Sequence, residues 1–141
     1  MNDEQIRKIL EENRVIASVG LSSNPERPSY GVCSFLRLKG YRIIPVNPNE
    51  TQVLGERSYP DLLSIPEKVD IVQVFRRPEA VPQVVDDAIA IGAKVVWMQD
   101  GAGNLEAARR AEEAGLMAVV DDCLLREYRR LDAEKSITVK S

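Results

Sequence analysis

VIASVGLSSNPERPSYGV, residues 15–32, is the stretch that decides the fold. Residues 15–21 (VIASVGL) make a continuous apolar run, the pattern of a parallel strand covered on both faces. A polar loop containing Pro25 and Pro28 follows. The spacing of Val32, Phe35 and Leu36 then predicts a helix over residues 30–39, closed by Gly40. Strand, loop and helix in that order open a βαβ unit.

The same alternation continues along the chain. Residues 41–47 (YRIIPVN) read as a second strand, with Pro45 predicting an irregular end. Residues 70–76 (DIVQVFR), 93–99 (AKVVWMQ) and 116–121 (LMAVVD) read as the third, fourth and fifth strands. Helices are expected over residues 78–91, where Pro82 fits only a first turn, and over 105–114, capped by Asn104. Another follows over 123–133, with Leu124, Tyr128 and Leu131 on one face. A short helix over 3–13 precedes the first strand, capped by Asn2 or Asp3. Residues 48–69 read as loop with one helical turn near 61–64, and the tail SITVKS reads as frayed. The expected fold is a Rossmann-like three-layer α/β domain with a five-stranded parallel sheet, order 3-2-1-4-5. One domain accounts for residues 1–141, its core spanning about 15–131.

Composition narrows the function classes. The chain is 44% apolar and 29% charged, with a net charge of −3, and no apolar run approaches a membrane span. That balance argues against a nucleic-acid footprint, so neither nucleic acid nor membrane is expected as a partner. The opening MNDEQIRKIL has no uninterrupted apolar core of a secretory leader, and two distant cysteines suit a reducing compartment; a cytoplasmic location is expected. The chain contains no histidine. Histidine-based triads, acid–base catalysis and metal sites are therefore excluded. Cys33 reads as a small buried residue. Cys123 follows Asp121 and Asp122, whose charges oppose a thiolate. Trp97 and Met98 read as core, and Asp121–Asp122 is the one carboxylate pair at a strand end.

A ligand of such a sheet sits beyond the carboxyl ends of the strands. The first loop delivers Ser22, Ser23, Asn24 and Arg27 there, followed by a helix start at Ser29–Gly31 whose dipole and N–H groups suit an anion. Two readings stand: a phosphate cradle, or an ordinary turn in which Ser29 caps the helix. Gly31 is expected to allow a close approach to strand or ligand. The dinucleotide fingerprint is missing, since Ser22 and Pro25 stand two and five residues after Gly20. The second strand ends in Asn47 and not in an acidic residue, which also counts against a nicotinamide cofactor. Arg76 and Arg77 end the third strand with planar donor forks suited to phosphate oxygens.

The segments VGLSSNPERPSYGV, GYRIIPVNP, VDIVQVFRRPEAVP and AIGAKVVWMQ together resemble the small stand-alone CoA-binding proteins of bacteria and archaea. These are similar in turn to the CoA-binding domain of the succinyl-CoA synthetase alpha subunit. The likeness runs from about Val15 to Leu131. It implies a Rossmann-like fold that binds coenzyme A, with Gly20, Leu21, Ser22, Ser23, Ser29 and Tyr30 around the phosphates. It likewise implies contacts from Val46, Asn47 and Pro48, from Phe75, Arg76, Arg77 and Pro78, and from Met98, Gln99 and Asp100. Glu50 stands near the place of a lysine in the synthetase domain, which redirects the 3′-phosphate to Arg27, Arg76 or Arg77. The chain has no histidine to match the synthetase's phosphohistidine, and the synthetase's second domain is not expected here. A histidine expected near Tyr128 and a basic residue expected near Asp122 are missing too.

The expectation is a non-catalytic protein that binds CoA or acyl-CoA as its small-molecule ligand, as a homo-oligomer or beside a separate catalytic partner. The alternative is an NAD(P)- or nucleotide-dependent enzyme whose site is completed by an oligomer or partner subunit.

Overall fold

A computed structural model describes residues 1–140. Its strands are β1 Val15–Val19, β2 Arg42–Val46, β3 Gln52–Val53, β4 Glu56–Arg57, β5 Ile71–Val74, β6 Val95–Met98 and β7 Met117–Val119. The helices are α1 Asp3–Glu12, α2 Pro28–Leu38, α3 Val81–Ala90, α4 Leu105–Glu113 and α5 Leu124–Glu134. Five parallel strands form the sheet, in the order β2-β1-β5-β6-β7, and β3 with β4 forms a separate antiparallel hairpin.

Strand periodicity divides the core into two layers. Ile16, Ile43, Ile71, Val95 and Trp97 point to one face, beneath Ile9, Leu10, Leu36, Leu124 and Leu131 of α1, α2 and α5. Their neighbours Ala17, Ile44, Val72, Val96 and Met98 point to the other, beneath Val81, Val85, Ala107 and Ala111 of α3 and α4. This is the Rossmann-like three-layer class expected from the sequence.

The strand order needs correction. Counted among the sheet's own five strands it is 2-1-3-4-5, not 3-2-1-4-5, because β5 pairs with the free side of β1 (Ile16↔Ile71, Val19↔Val74). The physical reason lies in the proline of β2. β5 has β1 on one side and β6 on the other. The outer place falls to β2, whose Pro45 turns toward the open edge. There its carbonyl accepts the Tyr59 N–H at 3.0 Å, and its missing N–H costs the sheet no hydrogen bond. The strand therefore stays regular through Pro45 to Val46.

Smaller departures also have local causes. The loop over 48–69 contains the β3–β4 hairpin besides the expected turn, which is a 3₁₀ segment over Leu62–Ser64. Pro28 occupies the first turn of α2, so the helix starts two residues earlier than the apolar spacing suggests. Residues Pro78–Ala80 form a 3₁₀ turn, and α3 then begins with Pro82 safely in its first turn. Asn2 closes a capping box with Gln5, and Asn104 caps α4 through the Ala107 N–H, as expected. The tail is not frayed along its length: Ile137 is buried in the α1/α2/α5 layer and its N–H donates to Asp132 Oδ1 at 2.7 Å. Ser141, the last of SITVKS, lies outside the described residues. Among the described residues no helix is long and apolar enough to cross a membrane.

Candidate functional site

The carboxyl ends of β1, β2, β5 and β6 open into two hollows of about 340 Å³ each, with Arg76 lining both. On one side stand Gly20, Ser22, Arg27, Ser29, Phe75, Arg77 and Asp100. On the other, Val19, Val46, Pro48, Leu62 and Val84 give a more apolar wall. Arg76 is half-buried and reaches back over the first loop: its Nε lies 3.4 Å from where a Cβ of Gly20 would be. Arg77 is exposed at the start of the 3₁₀ turn. A larger hollow of about 460 Å³ lies at the opposite, amino-terminal edge of the sheet, among Lys8, Glu12, Lys94 and Met117. Its charges are largely matched within the protein, Lys8 to Glu12 and Lys94 to Asp70. It presents no single-sign surface to a ligand.

The first loop is already saturated with hydrogen bonds. Gly20 N–H donates to the Val46 carbonyl at 2.8 Å, and Leu21 N–H to that of Ser18 at 3.4 Å. Ser22 N–H donates to Ser29 Oγ at 3.1 Å, and Ser23 N–H to Glu50 Oε2 at 2.7 Å. Asn24 N–H bonds to Ser22 Oγ, Glu26 N–H to Asn24 Oδ1, and Arg27 N–H to the Asn24 carbonyl. Pro25 has no N–H. Serines and asparagine thus do locally what a ligand phosphate does in a glycine-rich loop. At the helix start expected to suit an anion, Tyr30 N–H donates to the Arg27 carbonyl at 3.1 Å, and the loop's own N–H groups are not free to hold such an anion.

Three cations are available for it. Among the described residues, Arg27, Arg76 and Arg77 make no ion pair and their guanidinium groups have no hydrogen-bond partner. The one carboxylate in the same hollow, Asp100, is answered by Arg126, whose guanidinium donates to both its oxygens at 2.8 and 3.0 Å. That pairing holds the Asp100 carboxyl below its usual range. The net field of the hollow is therefore positive in a chain of net charge −3.

Of the residues expected at the site, Gly20, Ser22, Arg27, Ser29, Phe75, Arg76, Arg77 and Asp100 meet in the first hollow, and Val46 and Pro48 in the second. The others do different work. Leu21 and Met98 are fully buried in the two core layers, and Tyr30 packs against the α1/α2/α5 layer. Asn47 is a buried latch, donating through Nδ2 to the Leu21 carbonyl at 3.1 Å. Gln99 accepts from Gln73 Nε2 and from the Leu124 N–H. The Pro78 carbonyl accepts from Asn104, and Ser23 is exposed and tied to Glu50. Ser29 is not the helix cap; it sits inside the first turn with its hydroxyl turned back into the loop. Gly31 faces open space, with nothing within 4 Å of a Cβ placed on it, so no close approach explains it. The carboxylate pair is spent on structure: Asp121 Oδ1 accepts the N–H groups of Gly101 and Gly103, and Asp122 pairs with Arg126. Gly101 and Ala102, from the segment expected at this edge, line the first hollow, and Pro60 and Leu62 line the second without having been singled out in the sequence. Tyr59 carries Pro60 and Leu62 there through its parallel bridge to Val46.

Fold and site together define a Rossmann-like α/β domain with an arginine-flanked cleft at its carboxyl edge. Residues 14–129 match the family model of the CoA binding domain, and the chain belongs to that family. It is 39% identical over 120 residues to the "Uncharacterized protein YneT" of Bacillus subtilis, covering 85% of this chain and 89% of that one. A hypothetical protein from Pyrococcus horikoshii OT3 superposes with a TM-score of 0.91 at 44% identity, covering 93% and 92% of the two chains. The subunit alpha of an ADP-forming acetate–CoA ligase II from Pyrococcus furiosus is 30% identical over 108 residues, 75% of this chain but 24% of that protein. The family expected from GLSSNPERPSYGV and VFRRPEAVP is thus the family found, and the ligase relative is an acetate–CoA ligase.

Proposed function

We propose that the protein binds coenzyme A or an acyl-CoA through its phosphates at the carboxyl edge of the sheet, and leaves the ligand chemically unchanged. The observation that carries this reading is the convergence of Arg27, Arg76 and Arg77, all without a protein partner among the described residues, on one hollow beside the amino end of α2. Guanidinium forks suit phosphate oxygens, and CoA carries a diphosphate and a 3′-phosphate. The adjoining hollow with Val19, Val46, Leu62 and Val84 suits the less polar part of an elongated ligand. The absence of histidine and the burial of Cys33 support a binding role over a chemical one. The binding unit acts in the cytoplasm, as a homo-oligomer or beside a separate catalytic subunit.

Calorimetric titration with CoA tests the proposal directly, and affinity should fall as salt is added. Folded protein that gives no heat at millimolar CoA would refute it. A melting screen with CoA, acetyl-CoA, NAD, NADP and ATP separates the alternatives. A ligand at 100 times its Kd adds roughly 2.7 kcal/mol of stability, so a real ligand is visible. A shift with NAD and none with CoA would favour the nicotinamide-dependent enzyme instead.

A further inference from the structure

We infer that Glu50 is a specificity-determining residue of the carboxyl-edge site: its carboxylate is a built-in anion that holds the Ser23 N–H against ligand phosphates. This rests on the reading of that edge as a phosphate site. The loop's hydrogen bonds single Glu50 out. The other N–H groups between Gly20 and Arg27 are taken by strand carbonyls or by the loop's own serines and asparagine, neighbours that fold with it. Ser23 alone gives its N–H to a carboxylate from another segment, at 2.7 Å.

Glu50 is held in place for that role. Its own N–H donates to the Asn47 carbonyl at 3.2 Å, and Asn47 Nδ2 donates to the Leu21 carbonyl at 3.1 Å. The turn after β2 is thereby fastened to the loop after β1, with Glu50 at the junction. The consequence is an asymmetric field. An anion on the Arg76–Arg77 side of the loop meets guanidinium groups, whereas one approaching Ser23 meets a negative charge already bonded to its donor. Ligands whose phosphates gather at Arg27, Arg76 and Arg77 are accepted, and an additional phosphate on the β2 side is disfavoured.

Glu50→Gln tests this, since the amide oxygen can still accept from Ser23 while the charge is gone. CoA titrations of the wild type and the variant are expected to show about fivefold tighter binding by the variant at low salt, the effect of one nearby charge in water-like surroundings. The gain should shrink as salt rises. Glu50→Asp, which keeps the charge, is expected to show no gain. Equal or weaker CoA binding by a Glu50→Gln protein with wild-type melting would overturn the inference, as would an equal gain in Glu50→Asp. If neither protein binds CoA, the reading of the site fails, and inorganic pyrophosphate decides on Glu50 alone. A larger pyrophosphate-induced melting shift in Glu50→Gln supports its role, and equal responses overturn it.

Discussion

Gly20 stands so close to Phe75 that a Cβ on the glycine would lie 2.5 Å from the Phe75 carbonyl oxygen. Its φ of +93° is also in the region that side chains disfavour. Two backbones meet here, the exit of β1 and the exit of β5, and a methyl group cannot be accommodated without moving one of them. Gly20→Ala should cost about 2–4 kcal/mol, combining left-handed strain with overpacking. Chemical denaturation measures it, and a loss below about 1 kcal/mol would mean that the junction yields.

The two arginines after β5 should not be equivalent. Arg76 lines both hollows and is half-buried, whereas Arg77 lines one and is exposed. Replacing both with alanine should weaken CoA by about 2–4 kcal/mol, with Arg76→Ala responsible for the larger part. Melting temperatures should change little, because neither guanidinium holds a protein partner. Calorimetry on the three variants reads the split; unchanged affinity would return both residues to the solvated surface.

Asp70 links the starts of two neighbouring strands, accepting the N–H groups of Arg14 and Val15 at 3.0 Å each. Burial alone would raise its pKa, but those two N–H groups and Lys94 outweigh it and hold the carboxyl below its usual value. A depressed pKa means stability that is present above the unfolded-state value, near 4, and is lost as pH falls through the folded one. Asp70→Asn should cost about 1 kcal/mol at neutral pH and flatten the acid limb of the stability curve. Urea midpoints between pH 2 and pH 7 follow it.

The two thiols should separate cleanly by reactivity. Burial pushes the Cys33 thiol up to about 12, outweighing its hydrogen bond with Ser18. Cys123 is partly exposed. In native protein at pH 8 a thiol reagent should label Cys123 first and Cys33 only on unfolding. Peptide mapping that finds Cys33 labelled first would contradict the packing.

Local patterns make the layer architecture legible in the sequence. Apolar runs such as VIASVGL and AKVVWMQ, separated by residues at helical spacing, leave little besides a parallel sheet. Strand order is less accessible, because the outer place of β2 turns on one missing N–H, that of Pro45. Gln73 adds to the difficulty: a polar residue in IVQV does not advertise a central strand, yet it is fully buried. The β3–β4 hairpin was hidden for a different reason. Its turn places Leu54 and Gly55 at positive φ, and leucine is not a residue that signals such a turn. At the site, the segments were readable and the individual roles were not. Met98, Gln99 and Asn47 lie at the right strand ends, but core packing or buried partners claim their side chains first.

The buried polar side chains along the α2/α5 face of the sheet constrain assembly as well as packing. Ser18 Oγ bonds to Gln73 Oε1 at 2.8 Å, Gln73 Nε2 to Gln99 Oε1 at 3.1 Å, and Gln99 Oε1 takes the Leu124 N–H at 3.0 Å. Aliphatic strands alone could slide by two residues and still bury their faces. A slide of β1 against β5 would set Ile16 or Gly20 opposite Gln73 and take the Ser18 hydroxyl away from its buried amide oxygen. These three side chains therefore act as a registration key, through which the chain recognises one alignment of its central strands and rejects its near-misses.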